Sequence, residues 1–348
     1  MMQAVVFHEY GGPEKLVYEE VPRPTPGDRE VLIQVKACSI NHLDIWIRNG
    51  IPAYKIVLPH IPGSDIAGII AETGKQVEGI HPGDRVVVYP ILNCHRCEYC
   101  LAGQENLCTS VRVIGVATDG GYAQYSKVPQ ENIFPLPDAV GFEEGAAFVL
   151  VYLTAWHMLI TLAQLKPGQE VLVLAAGSGV GSAAIQIAKL VGAHVIATVG
   201  DRDKIAKAQA IGADEVVNHR EEDLTQRTRD LTRGRGVDVV FEHIGPETWA
   251  KSIACLAKNG TLVTCGATTG PEAKMDLRYL FSRQLRLMGA YIGTRRELVT
   301  LLKLLGEGKL KPHLHAVMSL KEARRAHEII ENRKHFGKVV LLPYHPAA

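Results

Sequence analysis

The stretch EVLVLAAGSGVGSAAIQIAKL, residues 170–190, decides the fold. It opens as an unbroken apolar run, the pattern of a strand buried on both faces. It then turns through Gly177, Ser178, Gly179, Val180 and Gly181 and continues as an amphipathic helix. Glycines permit the tight turn and let bare backbone approach a pyrophosphate. The helix N-terminus adds unpaired N–H groups and the positive end of its dipole. Against the pattern G-x-G-x-x-G the matching positions are Ala176, Ser178 and Gly181, so the motif is degenerate. Its context carries the reading, because a buried strand precedes it and further strand–helix units follow.

Those units run downstream. Strands are expected at 194–199, 215–218, 237–242, 261–266 and 285–289, with helices at 201–211 and 246–258 between them. Apolar strands alternating with helices imply a doubly wound parallel sheet, a Rossmann dinucleotide-binding domain over 151–290. Ligands of such sheets lie outside the carboxyl ends of the strands, which adds Gly245, Gly266 and Ala267 to the coenzyme loop. At the end of the second strand Asp201 stands where an NAD site carries an acid for the ribose. Asp201 is equally a good N-cap. Arg202 and Lys204 beside it suit a 2′-phosphate, and a charged helix start accounts for all three as well. The balance favours NADPH over NADH.

Residues 1–130 read differently. Short strands at 31–36, 66–70 and 85–89 alternate with Pro-Gly turns at Pro26-Gly27 and Pro82-Gly83, which suggests a barrel-like β unit. Within it Cys94, Cys97, Cys100 and Cys108 are separated by two, two and seven residues. Four thiolates complete a tetrahedral Zn²⁺ shell with no open position, so one structural zinc per chain is expected in a lobe at about 90–112. Two disulfides or four unrelated thiols are the alternatives, and adjacent CxxC pairs argue against both. Cys38, Cys255 and Cys265 lie in apolar runs and read as small core residues.

The chain has 348 residues, a formal net charge of +1 and 47% apolar residues, enough for two domains with large cores. Balanced charge excludes a nucleic-acid footprint, which needs a clustered basic face. The N-terminus reads as a first strand because it lacks the charged and apolar regions of a signal peptide. The apolar segment 145–165 approaches membrane-spanning length, but it has no flanking basic clusters and reads as a buried helix. A cytoplasmic protein without membrane partners is expected.

With these features the chain resembles a medium-chain dehydrogenase/reductase along essentially its full length. The resemblance rests on Gly83-Asp84-Arg85-Val86, the four-cysteine lobe, Gly120-Gly121-Tyr122-Ala123, the AAGSGVG loop and Gly337-Lys338-Val339-Val340-Leu341. It implies an α/β protein with a GroES-like β-barrel catalytic domain over 1–150 and 291–348 beside the Rossmann domain, and an active site in the cleft between them. Thr154 matches a position near the nicotinamide phosphate, and Lys338 one that approaches the cofactor. Zinc alcohol dehydrogenases of the family hold a second, catalytic zinc through a Cys, a Gly-His-Glu and a later Cys. Here those positions are Asn41, Gly63-Ser64-Asp65 and Leu150. Cys38 falls three residues too early to substitute, and only Asp65 remains a good ligand, where about three are needed. His42, His60 and His157 could assemble an unusual metal site, and otherwise read as ordinary polar or core histidines.

Asn41 with Asp44 resembles instead the quinone oxidoreductase-like branch, which works without catalytic metal. The expected reaction is NAD(P)H-dependent hydride transfer to a small-molecule carbonyl: a quinone, an enone or an enoyl thioester. Asn41 and Tyr54 are the candidate donors to the developing enolate, and Asp44 the residue that orients Asn41 or caps its turn. An alcohol or aldehyde dehydrogenase and a non-enzymatic dinucleotide-binding scaffold are the competing readings. An edge strand near 285–292 suggests a homodimer or homotetramer.

Overall fold

The computed structural model describes residues 1–52 and 55–344; the candidate donor Tyr54 lies outside the described residues. The chain divides into two compact units, Met1–Leu150 with Thr294–Ala348, and Val151–Gly293.

In the first unit β1 (Met2–Val6) and β2 (Val17–Val21) form an antiparallel pair. A larger sheet takes β3 (Glu30–Ser39), β4 (Asp65–Thr73), β5 (Arg85–Val88), β8 (Tyr125–Pro129) and β9 (Ile133–Pro135), joined by the C-terminal β16 (Leu314–Ser319) and β17 (Lys338–Leu342). The hairpin of β6 (Ile91–Leu92) and β7 (Arg112–Val113) closes the base of the cysteine lobe, which contains α2 (Glu98–Leu101). Residues spaced by two turn inward from each large strand: Val31, Ile33 and Val35 from β3, Ile66 and Ile70 from β4, Val86 and Val88 from β5, Val339 and Leu341 from β17. That period of two is what buries one face of each strand in a shared core. One edge of β3 is shared, β8 pairing with Glu30–Gln34 and β17 with Cys38 and Ser39. The other α-helices of this unit among the described residues are α1 (His42–Asn49), α9 (Arg295–Gly306), α10 (Ala323–Glu331) and the first part of α3 (Phe142–Trp156).

The second unit is a six-stranded sheet in the order β12-β11-β10-β13-β14-β15, every pairing parallel. Its strands are β10 (Glu170–Val173), β11 (His194–Val199), β12 (Glu215–Asn218), β13 (Val237–Glu242), β14 (Leu256–Thr264) and β15 (Arg286–Gly289). Four helices, α4 (Gly179–Val191), α5 (Ile205–Ala210), α6 (Leu224–Leu231) and α7 (Pro246–Cys255), fall between strands, and α8 (Leu277–Ser282) precedes β15. Strand order reverses between β10 and β13, which is where a doubly wound sheet opens its crevice. The apolar segment expected to be a buried helix is α3, prolonged as a π-turn over His157–Leu162, and 72% of its most apolar window is buried.

Several boundaries differ from expectation. β10 stops at Val173 because Ala175 takes a positive φ of 48°, its N–H bonding to Thr198 Oγ1 at 2.9 Å. β14 begins at Leu256, five residues early, through an irregular register against β13. The helix expected at 201–211 divides into a 3-10 turn, Arg202–Lys204, and α5.

One glycine seats the polar interior of the first unit. Gly63 has φ +106°, and a Cβ there would lie 2.5 Å from Tyr122 Cδ1 and 2.8 Å from Cys38 Sγ. Gly63→Ala is therefore expected to lose about 2–3 kcal/mol of stability, read by denaturant unfolding. An unchanged midpoint would contradict the crowding.

Candidate active site

Three strands and a helix start bring four polar side chains together inside the first unit. Ser39 ends β3, Asp65 begins β4, Lys338 begins β17, and Asn41 immediately precedes α1. Ser39 and Asp65 are fully buried, Lys338 is 3% exposed and Asn41 7%. The Lys338 ammonium donates to Asn41 Oδ1 at 2.6 Å, to the Ile40 carbonyl at 2.8 Å and to Asp65 Oδ2 at 3.3 Å. An ammonium has three protons, so these acceptors match its whole donor set. Asp65 Oδ2 also accepts from Asn41 Nδ2 at 2.9 Å and Ser39 Oγ at 3.1 Å, while its Oδ1 accepts the Leu150 N–H at 3.0 Å. A buried ion pair is tolerable only when its remaining lone pairs and protons are met in this way.

This cluster gathers Asn41, Asp65 and Leu150, three of the positions at which zinc alcohol dehydrogenases place metal ligands. The donors there are an amide and a carboxylate, both engaged by Lys338, and a leucine. The nearby Ser64 hydroxyl is fully buried with no hydrogen-bond partner among the described residues. None of these four side chains, Asn41, Ser64, Asp65 and Leu150, is the thiolate or imidazole that catalytic zinc sites draw on. The Lys338 ammonium is turned onto Ile40, Asn41 and Asp65 of the first unit, a partner set for which the sequence carries no local signal.

Asp44 lies one helical turn into α1. Its Oδ2 accepts the Asn41 N–H at 2.8 Å, which caps the helix, and the Tyr122 hydroxyl at 3.3 Å. Its Oδ1 has no partner among the described residues. Burial pushes the Asp44 carboxyl up to about 7, against the pull of the Asn41 N–H and the nearby Lys338. Folding therefore favours the protonated acid, and the stability from this group falls as pH rises from the ordinary carboxylate range through about 7.

In the second unit Ser178 caps α4, its Oγ accepting from Gly181 N at 2.9 Å. A Cβ on Gly181 would lie 2.4 Å from the Ala175 carbonyl, so only glycine fits this turn. Helix geometry leaves the Gly179 and Val180 N–H groups without intrahelical acceptors, and these fit a pyrophosphate. Beyond the switch point, Glu242 is fully buried and its Oε1 accepts from Ile244 N, Gly245 N and Thr248 Oγ1. The loop after β14 is stitched to that loop by Thr268 Oγ1 on the His243 carbonyl and Thr269 N on the Ile244 carbonyl. Gly245, Gly266 and Ala267 thus sit in one braced pair of loops at the carboxyl end of the sheet. Thr154 is buried on α3.

At the end of β11 Asp201 occupies an N-cap position, but its side chain makes no cap bond. Its carboxylate instead accepts from Arg220 at 2.7 Å and pairs with Lys204 at 3.3 Å. Arg202 is exposed and lies 2.8 Å from Glu221. Arg220 was not anticipated, since it comes from the loop after the neighbouring strand.

The sulfur atoms of Cys94, Cys97, Cys100 and Cys108 all lie within 4.8 Å of one another. A tetrahedral zinc with 2.3 Å bonds separates its sulfurs by about 3.8 Å. Cys94–Cys100 at 3.9 Å and Cys97–Cys100 at 3.5 Å match that spacing. Backbone N–H groups point at sulfur, Cys94 N and Ser110 N reaching Cys108 Sγ at 3.3 and 3.4 Å, as thiolate ligands require. The lobe is tied down by Arg295, whose N–H meets the buried Glu105 carboxylate at 2.5 Å and whose guanidinium meets Asn93 Oδ1 at 2.7 Å.

Comparison with known proteins agrees with this geometry. Residues 27–138 match the alcohol dehydrogenase GroES-like domain, and residues 179–307 the zinc-binding dehydrogenase family. A quinone oxidoreductase of Salmonella typhimurium is 34% identical, covering 99% of this chain and 100% of its own. An NAD-dependent alcohol dehydrogenase of Sulfurisphaera tokodaii is 33% identical, covering 98% and 100%. The crystal structure of an NAD-dependent alcohol dehydrogenase superposes with a TM-score of 0.95 at 43% identity, covering 99% of this chain and 100% of that one.

Cys97→Ser removes one ligand from the thiol cage. Zinc bound to the purified chain is expected to be lost and the melting temperature to fall by about 5 °C or more. Retained zinc with an unchanged melt would show that the four thiols are not a metal cage.

Proposed function

The chain belongs to the medium-chain dehydrogenase/reductase family of NAD(P)-dependent oxidoreductases, and we propose that it reduces a conjugated carbonyl (a quinone, an enone or an enoyl thioester) without a metal at the reacting oxygen. The observation that carries this reading is the Lys338 ammonium lodged among Asn41, Asp65 and the Ile40 carbonyl. A fixed organic cation stands where a Lewis acid would need open ligands.

NAD(P)H, when bound, supplies the hydride from C4 of its nicotinamide. The chain's task is to hold the acceptor and meet the charge that develops on its oxygen. Of the two Asn41 amide protons one goes to Asp65 Oδ2. The other is assigned to the enolate oxygen. Lys338, bonded to Asn41 Oδ1, draws electron density through the amide and strengthens that remaining N–H as a donor. Asp44 holds the Asn41 backbone at the helix start, and solvent supplies the proton to the α-carbon. The zinc held by Cys94, Cys97, Cys100 and Cys108 has a full thiolate shell and serves the fold of its lobe.

NADPH is the proposed coenzyme. The Asp201 carboxylate, which an NAD ribose needs, is already engaged by Arg220 and Lys204. Lys204 and Arg220, paired to Asp201, and Arg202, paired to Glu221, are the cations proposed to turn to a 2′-phosphate. Assembly with a second copy is proposed through β15, the last strand of its sheet, near the exposed Leu277, Phe281 and Tyr291. A cytoplasmic location suits this chemistry.

Two outcomes check the reading. NADPH oxidation is expected with quinones or enones, and Asn41→Ala should lower kcat by about 10²-fold with little change in coenzyme affinity. Chelator-sensitive oxidation of a primary alcohol, with no enone or quinone turnover, would favour an alcohol dehydrogenase instead. Separately, Arg220→Ala with Lys204→Ala should weaken NADPH binding about tenfold or more and leave NADH binding nearly unchanged. Equal losses for both coenzymes would remove the 2′-phosphate assignment.

A further inference from the structure

Four side chains that no step above fully uses form a continuous polar thread through the interior of the first unit. Arg48, His327, Tyr122 and Asp44 are each fully buried. Arg48 and Asp44 stand one turn apart on α1, His327 comes from α10, and Tyr122 from the turn before β8. Arg48 Nη1 lies 3.0 Å from His327 Nδ1, His327 Nε2 lies 3.1 Å from the Tyr122 hydroxyl, and that hydroxyl lies 3.3 Å from Asp44 Oδ2.

The chemistry of the groups gives this thread one direction. A guanidinium only donates, so His327 Nδ1 is the acceptor. Burial beside Arg48 holds the imidazole down at about 3, so it is neutral and its single proton sits on Nε2. Nε2–H therefore donates to the Tyr122 oxygen, and the Tyr122 proton is left for Asp44. At the far end Arg48 is anchored by the Gly11 carbonyl at 3.0 Å, Asn49 Oδ1 at 2.9 Å and the Glu331 carboxylate. A buried guanidinium is costly unless paired, so this arrangement resists reversal.

We propose that Arg48, His327 and Tyr122 are positioning residues, a relay whose fixed hydrogen-bond direction presents a donor to Asp44 and so holds Asp44 as the acceptor of the Asn41 N–H. Asp44 is faced by the Asn41 N–H and Tyr122 hydroxyl as donors, Lys338 as a cation, Asp65 as an anion and the Cys38 thiol from β3. Of these, the Tyr122 proton is the only side-chain donor on its carboxylate among the bonds described. Withdrawing it makes the carboxylate harder to ionise and loosens the start of α1, where Asn41 stands. The relay deepens the role proposed for Asn41 and rests on that reading for its consequence in turnover.

The direct test needs no substrate. Carboxyl ¹³C NMR of the full chain labelled at aspartate, with Asp44→Asn to assign the signal, follows the titration of Asp44. In Tyr122→Phe the midpoint should rise by about one pH unit. His327→Leu should move it the same way, because the hydroxyl loses its orienting partner. His327→Gln should stay near wild type, because a glutamine carries an acceptor and a donor in the same order. The His327 pair carries the test by itself if Tyr122→Phe folds poorly. In turnover the acid limb of the kcat profile should shift with the NMR midpoint, whereas a merely structural role would lower stability and leave both in place. An Asp44 midpoint unmoved in Tyr122→Phe and in His327→Leu would overturn the relay. Shifted midpoints with no quinone or enone turnover at any pH would instead sustain the relay and overturn the reading of Asn41.

Discussion

The contact between Asp65 and Lys338 is the constraint on which the first unit turns. Neither charge is accessible to water, and each would be strongly destabilising alone; removing one partner of such a pair costs roughly 3–5 kcal/mol. Each therefore dictates its surroundings. Asp65 accepts hydrogen bonds from Ser39, Asn41 and the backbone of Leu150, and Lys338 donates to the Ile40 carbonyl and Asn41. The pair joins a strand near residue 65 to one near residue 338, which is why the last strand must return to β3. The same demand suits the residue at 41, because an amide donates to the carboxylate through Nδ2 and accepts from the ammonium through Oδ1.

The second unit obeys a different rule. The loops at the carboxyl end of its sheet are shaped by where side chains are forbidden. A β-carbon on Gly181 would strike the Ala175 carbonyl, and one on Gly266 would lie 2.7 Å from the His243 carbonyl. Glu242 then fixes the loop between β13 and α7 with a single carboxylate oxygen shared by three donors. The result is a braced set of backbone N–H groups, and the proposed phosphate binding rests on these.

Much of this architecture was readable before any coordinates. The parallel sheet announced itself in unbroken apolar strands, and β11, β12 and β13 begin and end where expected. The four cysteines needed only their spacing. What escaped was long-range. Nothing near Lys338 says that its ammonium ends on residue 41, and nothing near Asp201 says that Arg220 will claim it. Tyr122, His327 and Arg48 look like ordinary core and helix residues until the fold stacks them. The start of β14 differs for a local reason, since residues 256–258 read as the end of the preceding helix. The readings of Asp201 as a ribose acid and as an N-cap both leave out its ion pairs with Arg220 and Lys204.

The proposed reaction needs Lys338, and no metal, beside Asn41 and Asp65. Crystals of the full chain with coenzyme, measured above and below the zinc absorption edge, address that claim directly. One anomalous peak per chain, inside the Cys94–Cys108 cage, with unbroken Lys338 density reaching Asn41 and Asp65, is the predicted result. A second peak between Asn41 and Asp65, with the lysine displaced, would contradict it.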